Sequence, residues 1–114
     1  MGGTRLGRLP RRRVLGRFVP VANGLRSRLL GLAWLDASEA GPGLLIPRCR
    51  AVHTFGMRFE LDLVFLDRDG RPLAVHRRVP PRRFVRQRGA VAVLEVPSSR
   101  KEVSAGVLLG RLQL

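Results

Sequence analysis

Hydrophobic and polar positions are most orderly between residues 61 and 79. Leu61, Leu63 and Phe65 fall on one face of an extended chain, and Asp62, Val64 and Leu66 fall on the other. Asp67-Arg68-Asp69-Gly70 then interrupts the run. Aspartate bonds its own backbone in tight turns and glycine supplies positive φ, so the segment predicts a β-hairpin turn. The return strand is Pro72–Val79, with Leu73, Val75 and Arg77 on one face and Ala74, His76 and Arg78 on the other. Pro80-Pro81 ends it, because proline cannot donate to a sheet ladder. A further strand over 89–96 is an Ala/Val/Leu run, the pattern of a strand covered on both faces. Leu44-Leu45-Ile46 predicts a short buried strand between the turn Gly41-Pro42-Gly43 and Pro47, and 14–21 predicts a first strand.

Helical signals are short. Leu25, Leu29 and Leu32 recur at helical spacing, predicting a helix over 24–33 that Asn23 caps and whose last turn leads to Trp34, its indole against the sheet. Ser99 followed by Glu102 predicts a capping box and a closing helix over 100–109. Residues 1–12 are rich in Gly, Arg and Pro without periodicity, which predicts a flexible basic tail. Residues 13–114 then form one domain, too short to divide. The expected fold class is mainly β, a compact small β-sandwich or barrel-like domain with two short helices.

Charge changes this picture more than composition does. Hydrophobic residues make up 45% of the 114 residues, enough for a modest core, yet the formal net charge is +14. Lys101 is the only lysine. Eight arginines and no acid lie in residues 1–30, and seven arginines and no acid lie in residues 71–90. Two basic blocks therefore flank a near-neutral centre. Such a field attracts nucleic acid non-specifically at low salt through counterion release, with Arg82, Arg83, Arg86 and Arg88 as candidate anion-binding residues. Zinc-finger spacing, tyrosine and an RNP-type aromatic motif are all absent, and the six aromatics sit mostly in apolar runs where a core would take them. One cysteine, Cys49, allows no internal disulfide and suits a reducing cytoplasm. Arg11-Arg12-Arg13 resembles an export signal, but Arg17 and Pro20 break the apolar stretch that would have to follow. No apolar run reaches the roughly 20 residues of a membrane span.

Residues 43–70 carry more specific information. Gly43-Leu44-Leu45-Ile46-Pro47-Arg48-Cys49-Arg50 leads into His53-Thr54-Phe55-Gly56-Met57-Arg58, then Leu61-Asp62, Val64-Phe65-Leu66 and Asp67-Arg68-Asp69-Gly70. Later comes Ala90-Val91-Ala92-Val93-Leu94-Glu95. In order and spacing, over roughly residues 22–110, this resembles the family called domain of unknown function 192, small prokaryotic proteins. Glu60 stands where relatives often carry proline, and Leu109-Gly110-Arg111 lacks the aspartate of the family's closing turn. The resemblance implies a compact β-rich fold and transfers no activity.

Candidate chemistry gathers at Cys49, His53, Thr54, Phe55, Met57 and Asp62. A strand through 51–55 places Ala51, His53 and Phe55 on one face. If the chain turns at Gly56, Asp62 approaches His53, and a His–Asp pair orients an imidazole for proton transfer or ligation. The bland alternative is a histidine and an aspartate that satisfy loop N–H groups. Cys49 and His53 make only half a metal site, so neither a metal nor a cofactor is implied. Phe55, Met57, Phe59 and Phe65 read as core or pocket lining. No nucleophile elbow, phosphate-binding loop or dinucleotide fingerprint occurs. The leading expectation is a non-enzymatic binding or accessory protein with a pocket around His53 and Asp62, taking a small anionic ligand or a protein partner. The second is electrostatic nucleic-acid binding through blocks 1–30 and 71–90, and the third a minor hydrolase built on Cys49, His53 and Asp62.

Overall fold

The computed structural model describes residues 5–98. After a 3₁₀ turn at Arg5–Arg8, these residues form β1 (Arg11–Val14), β2 (Arg17–Pro20), α1 (Leu25–Leu30), α2 (Ala37–Ala40), β3 (Leu44–Pro47), β4 (Ala51–His53), β5 (Leu61–Leu66), β6 (Pro72–Val79), β7 (Phe84–Arg86) and β8 (Ala92–Pro97). The fold is mainly β with two short helices. Its centre is a four-stranded antiparallel sheet in the order β3-β8-β5-β6, flanked by the two-stranded pairs β1-β2 and β4-β7, and the sheets do not close into a barrel.

Strand alternation gives the central sheet two apolar faces. Leu45, Leu94, Val64 and Val75 form one row across all four strands, and Ile46, Val93, Phe65 and Ala74 form the next row on the opposite face. The first face packs on Val19 of the β1-β2 hairpin. The second packs on Leu6, Leu32, Ala33, Leu35, Val52 and Met57, from the segments around the helices and β4. β5 and β8 sit in the middle and are buried along almost their whole length, so each fully buried Leu, Val or Phe contributes about 1.5–3 kcal/mol.

The hairpin between β5 and β6 forms as its residues predict. Asp67 Oδ1 accepts from the backbone N–H groups of Asp69 and Arg71, both at 2.9 Å, and Gly70 takes φ +77°. At the other end of the pair Asp62 faces two residues, Arg77 and Arg78, in a β-bulge. Arg78 adopts φ +52° there, and its backbone N–H donates to Asp62 Oδ1 at 3.0 Å. β6 is an edge of the central sheet, and its outer end carries this bulge.

Several expectations need correcting. The basic stretch expected to be a tail is structured from Arg5 onward: Leu6 is buried, and β1 begins at Arg11 as half of a hairpin where one strand over 14–21 was expected. The first helix starts at Leu25 behind Gly24, without a side-chain cap from Asn23. It makes under two turns before Gly31 redirects the chain, so Leu25 and Leu29 stay exposed and only Leu32 of the leucine stripe is buried. Trp34 does not cover the sheet: it lies over Gly56, where an added Cβ would meet the indole at 3.0 Å, and it is largely exposed. The last strand runs Ala92–Pro97, starting later than expected, and β7 was not anticipated. The second helix described is α2, capped by a reciprocal Asp36–Glu39 box, whereas the helix expected over 100–109 lies outside the described residues.

Candidate functional site

β8 sends Glu95 into the helix-side core. In its row it stands between Leu44 of β3 and Leu63 of β5, and it is 1% exposed. The backbone N–H of Leu32 donates to its Oε1 at 3.2 Å. Burial pushes the Glu95 carboxyl up to about 8, and the Leu32 N–H and the Arg5 charge pull back only part of that rise. Glu95 therefore holds a proton at neutral pH. Gly31, at φ +55°, makes room for it, since a Cβ there would lie 2.6 Å from Oε1. Arg5 ties the same loop from outside, donating to Gly31 O at 2.7 Å and Ala33 O at 2.6 Å.

Above Glu95 is a cavity of about 90 Å³, bordered by the end of α1, β4 and Ile46. His53 and Arg28 line it. The carbonyl of Leu29 can only accept, so His53 Nε2, 2.9 Å away, carries the proton and donates. In the neutral ring Nδ1 is then a lone-pair acceptor, and it is buried without a hydrogen-bond partner. Arg28 anchors itself through Nη2 to Arg48 O at 2.6 Å, while its Nε is buried and likewise unpartnered. Buried polar atoms are nearly always paired, and these two unpartnered nitrogens line one cavity.

A second depression, of about 560 Å³, lies beyond β4, between Trp34, Phe55 and Met57 on its floor and Arg58, Pro81 and Arg82 at its edge. Thr54, fully buried, fixes its wall: Oγ1 donates to Pro80 O at 2.7 Å and accepts from Arg83 N–H at 2.8 Å. This pins the 80–83 loop beside β4 and sets Phe84 opposite His53.

The strand order, the Asp67–Gly70 turn and the buried Glu95 are set within residues 12–106, and over that span the sequence matches the pattern of a family described as "Uncharacterized ACR". The chain belongs to the DUF192 family. None of the curated proteins matches it. Among solved structures, it is similar to a protein of unknown function from Novosphingobium aromaticivorans, with 20% identity, a TM-score of 0.60, and coverage of 83% of this chain and 67% of that one. That likeness concerns the fold alone.

Within this DUF192 chain the predicted site residues separate. Asp62 points to the hairpin-side face, where it accepts from Arg78 N–H and from Ser98 Oγ at 2.7 Å, and it makes no hydrogen bond to His53. The Cys49 thiol donates to Ala51 O at 3.0 Å, and burial pushes it up from its ordinary value. Cys49, His53 and Asp62 thus bond separate partners and form no hydrogen-bonded chain. Met57 is buried and Phe55 exposed, its ring centroid 6.0 Å from that of His53. Arg82, Arg83, Arg86 and Arg88 are all exposed. No cluster that could hold a metal ion occurs among the described residues, and no helix among them is long and apolar enough to cross a membrane. Sequence reasoning missed Glu95, Arg28 and Arg5. Parity along 93–96 was the available signal for Glu95: it shares a face with Val93, and a lone acid on a core face is rarely idle.

Proposed function

We propose that this chain is a non-enzymatic binding domain that takes the polar head group of a small molecule into the cavity above Glu95. The two buried, unpartnered nitrogens of His53 and Arg28 carry this reading. Glu95 takes the place that the sequence suggested for Asp62. At a water volume near 30 Å³, the cavity has room for about three waters or a small carboxylate. Arg28 Nε–H offers a donor to an anionic oxygen, and His53 Nδ1 offers an acceptor to a hydroxyl of the same ligand. An exposed thiolate nucleophile, the requirement of a hydrolase on Cys49, finds no support in a half-buried thiol whose ionisation burial opposes.

The test is calorimetry with glycolate, a small hydroxy acid, as probe, after native mass spectrometry of protein purified with nuclease and high salt. Glycolate should bind, and His53→Ala and Arg28→Ala should each remove that binding. Binding that is unchanged in both variants, or no binding by the wild type, would overturn the assignment.

A further inference from the structure

Four of the six aromatic side chains stand in solvent: Phe18, Trp34, Phe55 and Phe84 are 55%, 62%, 55% and 67% exposed. Three of them follow one path. Trp34 lies over Gly56, Phe55 shares the groove with it, and His53 follows at 6.0 Å between ring centroids. Phe84 then stands opposite His53 in the β4-β7 register. Arg82 and Arg83 precede Phe84 in the chain, and Arg86 lies two residues beyond it, all exposed. Arg58, which lines the groove, engages Asp36 at 3.1 Å.

Backbone geometry holds the arrangement. Trp34 and Arg82, which both line the groove, adopt φ +69° and +67°, a region that bulky residues rarely occupy. Such conformations persist where the surroundings enforce them, and they concentrate at functional sites. Here Trp34 N–H bonds Gly56 O at 2.9 Å and Arg82 N–H bonds Thr54 O at 3.3 Å, which fixes both side chains facing outward.

We propose that the strip Trp34–Phe55–His53–Phe84, with Arg82, Arg83 and Arg86 beside it, binds single-stranded nucleic acid. Exposed rings next to arginines meet the two needs of that polymer. Bases stack on aromatic faces whatever their sequence, and guanidinium groups track the phosphates. The net charge of +14 supplies the attraction that a polyanion answers and an apolar protein surface does not. Duplexes keep their bases stacked on each other and offer this strip only phosphates. The strip shares His53 with the cavity above Glu95, but Trp34 and Phe84 do not line that cavity, so variants at these two test the strip apart from it.

The chain's single tryptophan is itself the reporter. Oligouridylate and oligothymidylate of about a dozen nucleotides, long enough for one stacking platform, should each quench Trp34 fluorescence at moderate salt. Their relative affinities say whether RNA or DNA is favoured. By anisotropy, Trp34→Ala and Phe84→Ala should each weaken binding about tenfold while the salt slope stays the same. Replacing Arg82, Arg83 and Arg86 with glutamine should instead flatten that slope. Three results would overturn the proposal: affinity unchanged in both aromatic variants, a duplex bound as tightly as the single strand, or polyglutamate competing as well as the oligonucleotide. Because Phe84 is exposed, its variant keeps the fold, as circular dichroism would verify.

Discussion

Glu95 keeps its proton in the folded chain up to about pH 8, whereas once unfolded it releases that proton near the ordinary 4.5. The folded state is thus the tighter binder of this proton. Its contribution to stability is complete below about pH 4.5, declines as pH rises, and is lost by the time pH passes 8. Glu95→Gln keeps an acceptor for Leu32 N–H and has nothing to ionise. Urea titrations should show a midpoint that falls between pH 5 and 8 for the wild type, relative to the glutamine variant; parallel pH profiles would show that the carboxyl is not held protonated. Gly31→Ala probes the same contact from the other side. Its Cβ would press on Oε1 at 2.6 Å and would have to keep φ +55°, so a loss of about 2 kcal/mol or more is expected in chemical denaturation.

At the scale of elements, Asp62 acts as the pin of a β-bulge rather than as a partner for His53. Asp62→Ala would leave Arg78 N–H and Ser98 Oγ without their acceptor, and a cost of about 1–3 kcal/mol should appear as a lower denaturation midpoint with the His53 ring environment unchanged by NMR. The elements that could be read in advance were those decided within a few residues. β6 and the Asp67–Gly70 turn follow from local alternation and turn chemistry, and β3 from its flanking glycines and proline. Those that could not be read depend on distant pairing. β7 is three residues long and exists because Thr54 captures Arg83 and Pro80 from 29 and 26 positions away. Leucine spacing at 25–32 suggested a packed helix, but Gly31 turns the chain before a buried face can form. His53 was found as a site residue and its partner was not. Alternation places Asp62 and Glu95 on opposite sheet faces only once the strand order is known, and nothing near either residue encodes that order.

Across the whole molecule, the two faces of the central sheet serve different ends. The hairpin side is closed by Val19 and its neighbours, whereas the helix side bears both the cavity and the aromatic strip. The edge at β6 completes this division. Unprotected sheet edges template the addition of further chains, and natural sheets blunt them with bulges and charge. β6 uses both at one place, because the bulge at Arg77 and Arg78 breaks the ladder where two guanidinium groups follow one another. Substituting both with valine would straighten and neutralise a strand eight residues long. Light scattering at rising protein concentration should then report more self-assembly than for the wild type. Because Asp62 holds that bulge open, Asp62→Ala is expected to free the same edge for pairing, an effect that a concentrated solution would reveal and an assay of binding would not.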